Sequence, residues 1–331
     1  MKVLALIQGM TVAASRYRIL QYLPYLEGRG IQTDVREFPR TLGEYARLYQ
    51  AVGRYDCIFV QRKRFHFPFL KPLRQRARRI VYDLDDAVMY KNSLAGRPYS
   101  RTRRARFEAM VAASDYVVAG NTFLRDQTLP YNENVTVIPT SIPADRYSVK
   151  DYARAKDVVT IGWIGDHGSI HYLEALRPVF EEIGRRFPGT VELKIICDVF
   201  FDCEHIPVRK VFWNAATEVE ELTSIDIGVM PLKDDPWSWG KCGLKILQYF
   251  GVGVPAVCTP VGVNRDVVKP GENGAWARTH EEWVDALARL IENGDLRRTY
   301  GLAGRETLEH GYTREINAPK LLSAIVGEDH S

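Results

Sequence analysis

A chain of 331 residues, 46% hydrophobic and 26% charged, is long enough for two domains with separate cores. No stretch reaches the roughly 18 apolar residues of a membrane span, and five cysteines, odd in number and without a C-x-x-C pair, fit neither a disulfide framework nor a zinc site. Residues 1–150 hold 25 Lys+Arg against 13 Asp+Glu, net +12, and the remainder 20 against 28, net −8, so the overall +4 hides a basic front half suited to an anionic membrane, a phosphorylated lipid, a nucleic acid or plain solvation.

The first fifteen residues mimic a secretory signal, with Lys2, an apolar VLALI run and an AAS triplet. Gln8 and Gly9 cut that run short, and the segment reads as the first buried strand of a cytoplasmic protein. Strand-type runs then alternate with helical patterns: KVLALIQ, a helix over Arg18–Glu27, IQTDVRE, a helix over Leu42–Val52, CIFVQ, IVYDL, YVVAG and VTVIP. Runs this apolar are covered on both faces, which predicts a parallel sheet with helices on both sides. Residues 1–147 make one such domain, and 148–157, within PADRYSVKDYARAKD, read as a linker. The pattern restarts with VVTIGWIG, VELKIIC, VRKVFW, DIGVM, VPAVC and GAWA, with helices over Tyr172–Phe187, Glu218–Thr223 and Glu281–Glu292. A second domain over 158–311 follows, and a helix in 312–331 is expected to pack back on the first. The fold class is α/β, two Rossmann-like doubly wound parallel-sheet domains, with ligands expected in the cleft between them beyond the C-terminal strand ends.

Motifs do cluster at strand ends. Gly9, Arg16 and Arg18 follow the first strand, without a full G-x-G-x-x-G. After the third comes QRKRFHFPFLKPLRQRARR, in which eight Lys and Arg residues, Arg62 first, interleave with Phe65, Phe67 and Phe69. YDLDDAV ends the fourth and crowds Asp83, Asp85 and Asp86 together, to hold a metal, sugar hydroxyls or a solvated helix cap. In IGWIGDHGSIHYLEAL, the glycines around Gly165 and Asp166 space a strand-to-helix turn with Ser169 as N-cap. It reads either as a diphosphate cradle or as a tight turn chosen for geometry alone. His167 and His171 beside it are given no catalytic role. The longest organised stretch is Asp226–Gly262, DIGVMPLKDDPWSWGKCGLKILQYFGVGVPAVCTPVG, a strand, loop, helix and strand in which Lys241 and Lys245 flank the helix start. Helix starts carry unpaired N–H groups and partial positive charge, so this stretch is a seat for an anion.

With RYRILQYLPYL, VYDLDD, VIPTSIP, IGWIG, the central stretch, VGVNRDVVKPGENG and EEWVDALARLI in hand, the chain resembles glycosyltransferase family 4, among the glycosyl transferases group 1. These are retaining enzymes of GT-B fold that use nucleotide-diphosphate sugars. The resemblance runs nearly end to end, and the central stretch is its most specific part. It implies transfer of a sugar to an acceptor hydroxyl, with the donor as co-substrate, no further cofactor and no metal. Two glutamates eight positions apart usually stand in this region; here Gly243 and Leu244 fix a register that puts Gly240 and Gln248 in their places. A histidine usual at the end of the fourth strand is replaced by Asp85. The resemblance assigns catalysis to Lys241, Lys245 and Asp85. Donor contacts fall to Gly165, Asp166, Gly243, Leu244 and Gln248, with the loop Phe212, Trp213 and Asn214 for the base. Acceptor contacts fall to Gly9, Arg16, Arg18, Arg62 and Asp86 in the basic domain.

The acceptor is expected to be a glycan or a lipid-linked glycan of the bacterial cell surface; for a lipid-linked one, the Arg62–Arg79 segment would rest on an anionic inner-membrane face. Because both glutamate positions lack carboxylates, a nucleotide-sugar-binding protein without transfer is the competing reading. A nicotinamide oxidoreductase is disfavoured by the missing glycine fingerprint and acidic ribose partner. Nucleic-acid binding is disfavoured by the lack of a recognised motif.

Overall fold

The structure is a computed structural model that describes residues 1–153 and 157–327. The chain divides into two compact units. Unit 1 comprises Met1–Ser141, Asp235–Cys242 and the residues from Arg314 onward, and unit 2 comprises Ile142–Asp234 and Gly243–Thr313. Among the described residues no helix is long and apolar enough to cross a membrane.

Unit 1 is built on six strands, β1 (Lys2–Ile7), β2 (Gln32–Glu37), β3 (Cys57–Gln61), β4 (Ile80–Leu84), β5 (Tyr116–Ala119) and β6 (Val135–Val137). They lie in the order β2-β1-β3-β4-β5-β6, every neighbouring pair parallel. The alternation along β1 shows why the runs are continuously apolar. Leu4 and Leu6 enter one core with Ile58, Val60 and Tyr82, while Val3, Ala5 and Ile7 enter another with Cys57, Phe59 and Val81. Each Val, Leu, Ile or Phe among them, fully buried, contributes about 1.5–3 kcal/mol. The helix Arg314–Val326 seals the second core with Ala318, Leu321, Ala324 and Ile325, tied down by Arg79 Nη2 to Ala324 O at 3.0 Å.

Unit 2 repeats the plan with β7 (Val159–Ile164), β8 (Val191–Cys197), β9 (Val208–Phe212), β10 (Ile227–Met230), β11 (Ala256–Cys258) and β12 (Gly274–Trp276). Their order is β12-β11-β10-β7-β8-β9, again all parallel.

Three expectations need correction. The helix over Arg18–Glu27 is broken into Ala13–Arg18, a 3₁₀ turn at Leu20–Tyr22 and Leu23–Gly28, because Pro24 offers no N–H to an unbroken ladder. Tyr172–Phe187 is likewise two helices, Ile170–Glu174 and Arg177–Arg186, parted by Pro178. The boundary lies at Ser141 rather than at 147. Residues after it belong to unit 2, where Lys150 pairs with Asp226 at 2.5 Å and its N–H bonds Val252 O. Residues 154–156 of the expected linker lie outside the described residues.

Candidate functional site

The carboxylates at the end of β4 are not an open cluster. Asp83, fully buried, receives Arg18 Nη2 at 2.6 Å and Nε at 3.1 Å, and Arg18 Nη1 reaches Ile138 O at 2.7 Å. Asp86 binds Arg62 and, at 2.8 Å, Lys241 Nζ. Among the described residues, the Asp85 carboxylate is paired with Arg62 Nε alone, at 3.8 Å. Three carboxylates thus face three cations, as buried charges require. Burial first, then the adjacent Asp86, raises the Asp85 carboxyl above its ordinary value against the pull of Arg62. In Asp86 burial acts the same way, but Arg62 and Lys241 outweigh it and hold the carboxyl below the usual range. Neither the metal nor the solvated-cap reading of this trio fits ion pairs made within the protein.

Arg62 reaches these acids because it adopts φ +58°, a left-handed conformation rare outside glycine, where the chain leaves β3. Gly9 is buried after β1, with Val12 Cγ2 only 3.2 Å from where a Cβ would stand. Arg16 lies half-buried over the Tyr17 ring at 5.1 Å.

Lys241 arrives at the acids on the Asp235–Cys242 segment. Asp235 caps the short helix Pro236–Trp239 through Ser238 N–H at 2.8 Å, and Asn121 Nδ2 holds the Lys241 carbonyl at 3.2 Å. Gly240 presses so closely on Ala87 that a Cβ would stand 2.5 Å from its N and Cβ. Cys242 donates its S–H to Asp85 O at 3.3 Å.

Unit 2 holds the helix start. Gly243, at φ +70°, precedes the helix Leu244–Gly251, whose first turn has no side-chain cap. Leu244 and Lys245 open it, with Lys245 Nζ 5.3 Å from the Trp163 ring, and Gln248 lies buried one turn on. The two lysines therefore fall in different units, not at one helix start.

Packing accounts for Gly162, inside β7, and Gly165, after it, but not for Gly168, where a Cβ would meet only Asp166 at 3.4 Å. A Cβ on Gly165 would meet the Trp163 ring at 2.1 Å, and one on Gly162 would meet Ile225 at 2.3 Å. Gly165 N–H is spent on Ile196 O at 3.0 Å, and Ser169 Oγ bonds Asp166 Oδ1 at 2.8 Å instead of capping its helix. His167 pairs with Asp198 at 2.6 Å, which raises the imidazole above its ordinary value. Beyond β9, Phe212 is exposed and edge-on to Phe200, and Trp213 Nε1 donates to buried Glu218 at 2.8 Å. Asn214 Oδ1 accepts from Ala216 N–H.

Sequence reasoning missed the cation partners of the three aspartates and the bare basic residues Lys63, Arg64 and His66. The latter were visible as the interleaved basic and aromatic run. Among the described residues no group of His, Cys, Asp and Glu is arranged to hold a metal ion.

Residues 205–293, from the approach to β9 through the helix Leu244–Gly251 and beyond, match the model of the family described as glycosyl transferases group 1. The resemblance to glycosyl transferases group 1 holds. No curated protein sequence matches the chain. In structure the chain is similar to Anabaena HepE, solved with UDP and glucose, at TM-score 0.74 and 15% identity over 99% of this chain and 100% of that one. It is also similar to sucrose-phosphate synthase from Thermosynechococcus elongatus, at TM-score 0.70 and 13% identity over 97% and 96%. The lipopolysaccharide outer core galactosyltransferase WaaB gives TM-score 0.65 and 12% identity over 99% and 100%. The fold is GT-B.

Proposed function

We propose that the chain is a glycosyltransferase that moves a sugar, with retention, from a nucleotide-diphosphate sugar to an acceptor hydroxyl, as in family 4. The observation that carries this reading is the helix start at Gly243, inside the segment that matches group 1 glycosyl transferases. Its first N–H groups lack a side-chain cap, and Lys245 adds a full charge to the helix's partial one. A diphosphate is the anion such a seat suits best.

In this scheme the bond from the anomeric carbon to the diphosphate breaks as the acceptor oxygen bonds that carbon on the same face. The leaving phosphate oxygen takes the acceptor proton. Charge grows on the diphosphate in the transition state, so N–H dipoles and Lys245 aimed at it lower the barrier without a metal. Gln248 serves the ribose, with its amide both donating and accepting. Leu244, Gly165 and Asp166 border the donor, and Phe212, Trp213 and Asn214 border the base. Asp85, the least neutralised of the aspartates at the end of β4, serves the acceptor hydroxyl, with Gly9 and Arg16, which follow β1, on the acceptor side. Arg18, Arg62, Asp86 and Lys241 act by holding that acid cluster in place. HepE's complexes with UDP and UDP-glucose make uridine donors the first to test. The biological setting we assign is synthesis of a bacterial surface glycan or glycolipid by a cytoplasmic enzyme touching the inner membrane, with no nucleic acid as partner.

A thermal-shift series with uridine, guanosine, adenosine and thymidine diphosphate sugars tests donor binding, and NMR of the product anomer tests retention. Failure of every nucleotide-diphosphate sugar to raise Tm removes the reading. One observation favours a binder without transfer: Gly240 has no room for the carboxylate that the family places there. Donor binding with neither transfer nor donor hydrolysis would select it.

A further inference from the structure

A pocket of about 480 Å³ opens in unit 1 beyond the ends of β1, β2 and β3. Its wall is aromatic. Tyr45 and Phe69 stack at 4.1 Å and 15°, and Phe38 lies 6.4 Å from Tyr45, edge-on. Leu42, 75% exposed, extends this apolar surface to the rim.

The remaining lining is cationic: Arg40, Lys63, Arg64 and His66. Among the described residues the Lys63 ammonium and the His66 ring make no hydrogen bond or ion pair. Arg64, among the described residues, donates to carbonyl oxygens alone, those of Val88 at 2.5 Å and Arg103 at 3.4 Å. Arg40 alone has a carboxylate, Glu37 at 3.0 Å, in an exposed pair of the kind that contributes little. Glu44 is committed to the capping box of the helix Leu42–Val52. The charges that act on Lys63 are those of Arg62, Arg40 and Arg64, and they join the enclosure of its ammonium in lowering its affinity for a proton. On Arg64, Arg103, Arg106 and Arg62 act in the same sense after burial, opposed only by Tyr82. Arg62, next to Lys63 in the chain, is spent on Asp85 and Asp86, and Arg18 on Asp83, so the aspartates at the end of β4 are neutralised while this cluster has little anionic company. Like charges gathered in a concave site raise the local concentration of anions, and planar rings beside them favour a ligand with an apolar or sugar face.

We infer that this pocket binds a phosphate-bearing ligand, its oxygens on Lys63, Arg40 and Arg64 and its apolar or sugar face on Phe38, Tyr45 and Phe69. The ligand's role as acceptor rests on the transferase reading; the binding does not. The test titrates the full chain with glycerol 3-phosphate, with glycerol as control, and with UDP on the same samples. The comparison uses Lys63→Ala/Arg40→Ala and, with exposed side chains again, Lys63→Glu. Glycerol 3-phosphate is expected to bind, with affinity at least about tenfold lower in both variants, since charge-assisted hydrogen bonds are lost, while UDP binding is unchanged. Vesicles of phosphatidylcholine with and without phosphatidylglycerol identify the source. Retention that needs phosphatidylglycerol and Lys63 supports the pocket and a lipid headgroup; glycerol 3-phosphate binding without retention supports it with a soluble phosphate. Glycerol 3-phosphate binding no better than glycerol, or equally in the variants, overturns the inference. Glycerol 3-phosphate binding in a wild-type chain that binds none of the four nucleoside diphosphates would sink the transferase reading and leave the pocket standing.

Discussion

Lys241 Nζ lies 2.8 Å from Asp86 Oδ1, and Arg62 closes on the same carboxylate from β3. The Asp86 side chain is 6% exposed, so its charge depends on these two partners. Removing one partner of a buried pair costs about 3–5 kcal/mol because the other is left uncompensated. Asp86→Ala, which strands two cations, is expected to destabilise unit 1 by that order. Lys241→Met leaves Arg62 on Asp86 and should cost less. Denaturant unfolding followed by unit 1 fluorescence measures both. Nucleotide affinity should survive Lys241→Met; a tenfold loss would return Lys241 to the donor phosphates.

The same carboxylate sets an acid limit. Burial alone would raise Asp86, but Arg62 and Lys241 hold it below the ordinary range. A carboxyl depressed in the folded state contributes stability above its unfolded pKa of about 3.9, lost as pH falls through the folded value. Unit 1 should therefore weaken below about pH 4, and Asp86→Asn should flatten that limb. Asp85, raised, acts with the opposite sign, so the difference between wild type and Asp86→Asn is the quantity to measure. An identical acid limb in both proteins would show that Asp86 is not its source.

These partners explain what was legible in the sequence. Strands were, because IVYDL or CIFVQ must bury both faces and only a covered parallel sheet allows it. The broken helices had their signal in Pro24 and Pro178. The aspartates were misjudged because local spacing shows crowded charge but not the arginine of another element, such as Arg18, that neutralises it. The glycine turn shows the same limit: spacing alone does not reveal that Gly165 stands under the Trp163 ring, where a Cβ would meet it at 2.1 Å. A phosphate turn and a packing notch share a spelling.

Lys245 gives the most direct test of the helix start. Its ammonium stands over Trp163, which is almost fully buried and holds its ring position. Lys245→Ala is expected to weaken binding of the preferred nucleoside diphosphate by about 1.5–3 kcal/mol, the range for hydrogen bonds to charged groups. Lys245→Arg should recover part of this through charge while losing fit. Calorimetry reads both, and unchanged affinity in Lys245→Ala removes this residue from the site.

Gly240 tests whether the segment has room for the glutamate that the resemblance to family 4 puts at this position. Its position is fixed from both sides: Asp235 caps the turn before it, and Asn121 holds the carbonyl of Lys241 after it. With the backbone so held, a Cβ at 2.5 Å from Ala87 N and Cβ cannot be relieved by rotating a side chain. Overpacking of this kind costs about 1–3 kcal/mol or more. Gly240→Glu is therefore expected to lower Tm and leave turnover no higher than wild type. The smaller Gly240→Ala should already show most of the loss, because the clash begins at Cβ and owes little to the carboxylate. A stable Gly240→Glu protein with faster transfer would mean that this segment can withdraw from Ala87. The native glycine would then be a choice of substrate, not of packing.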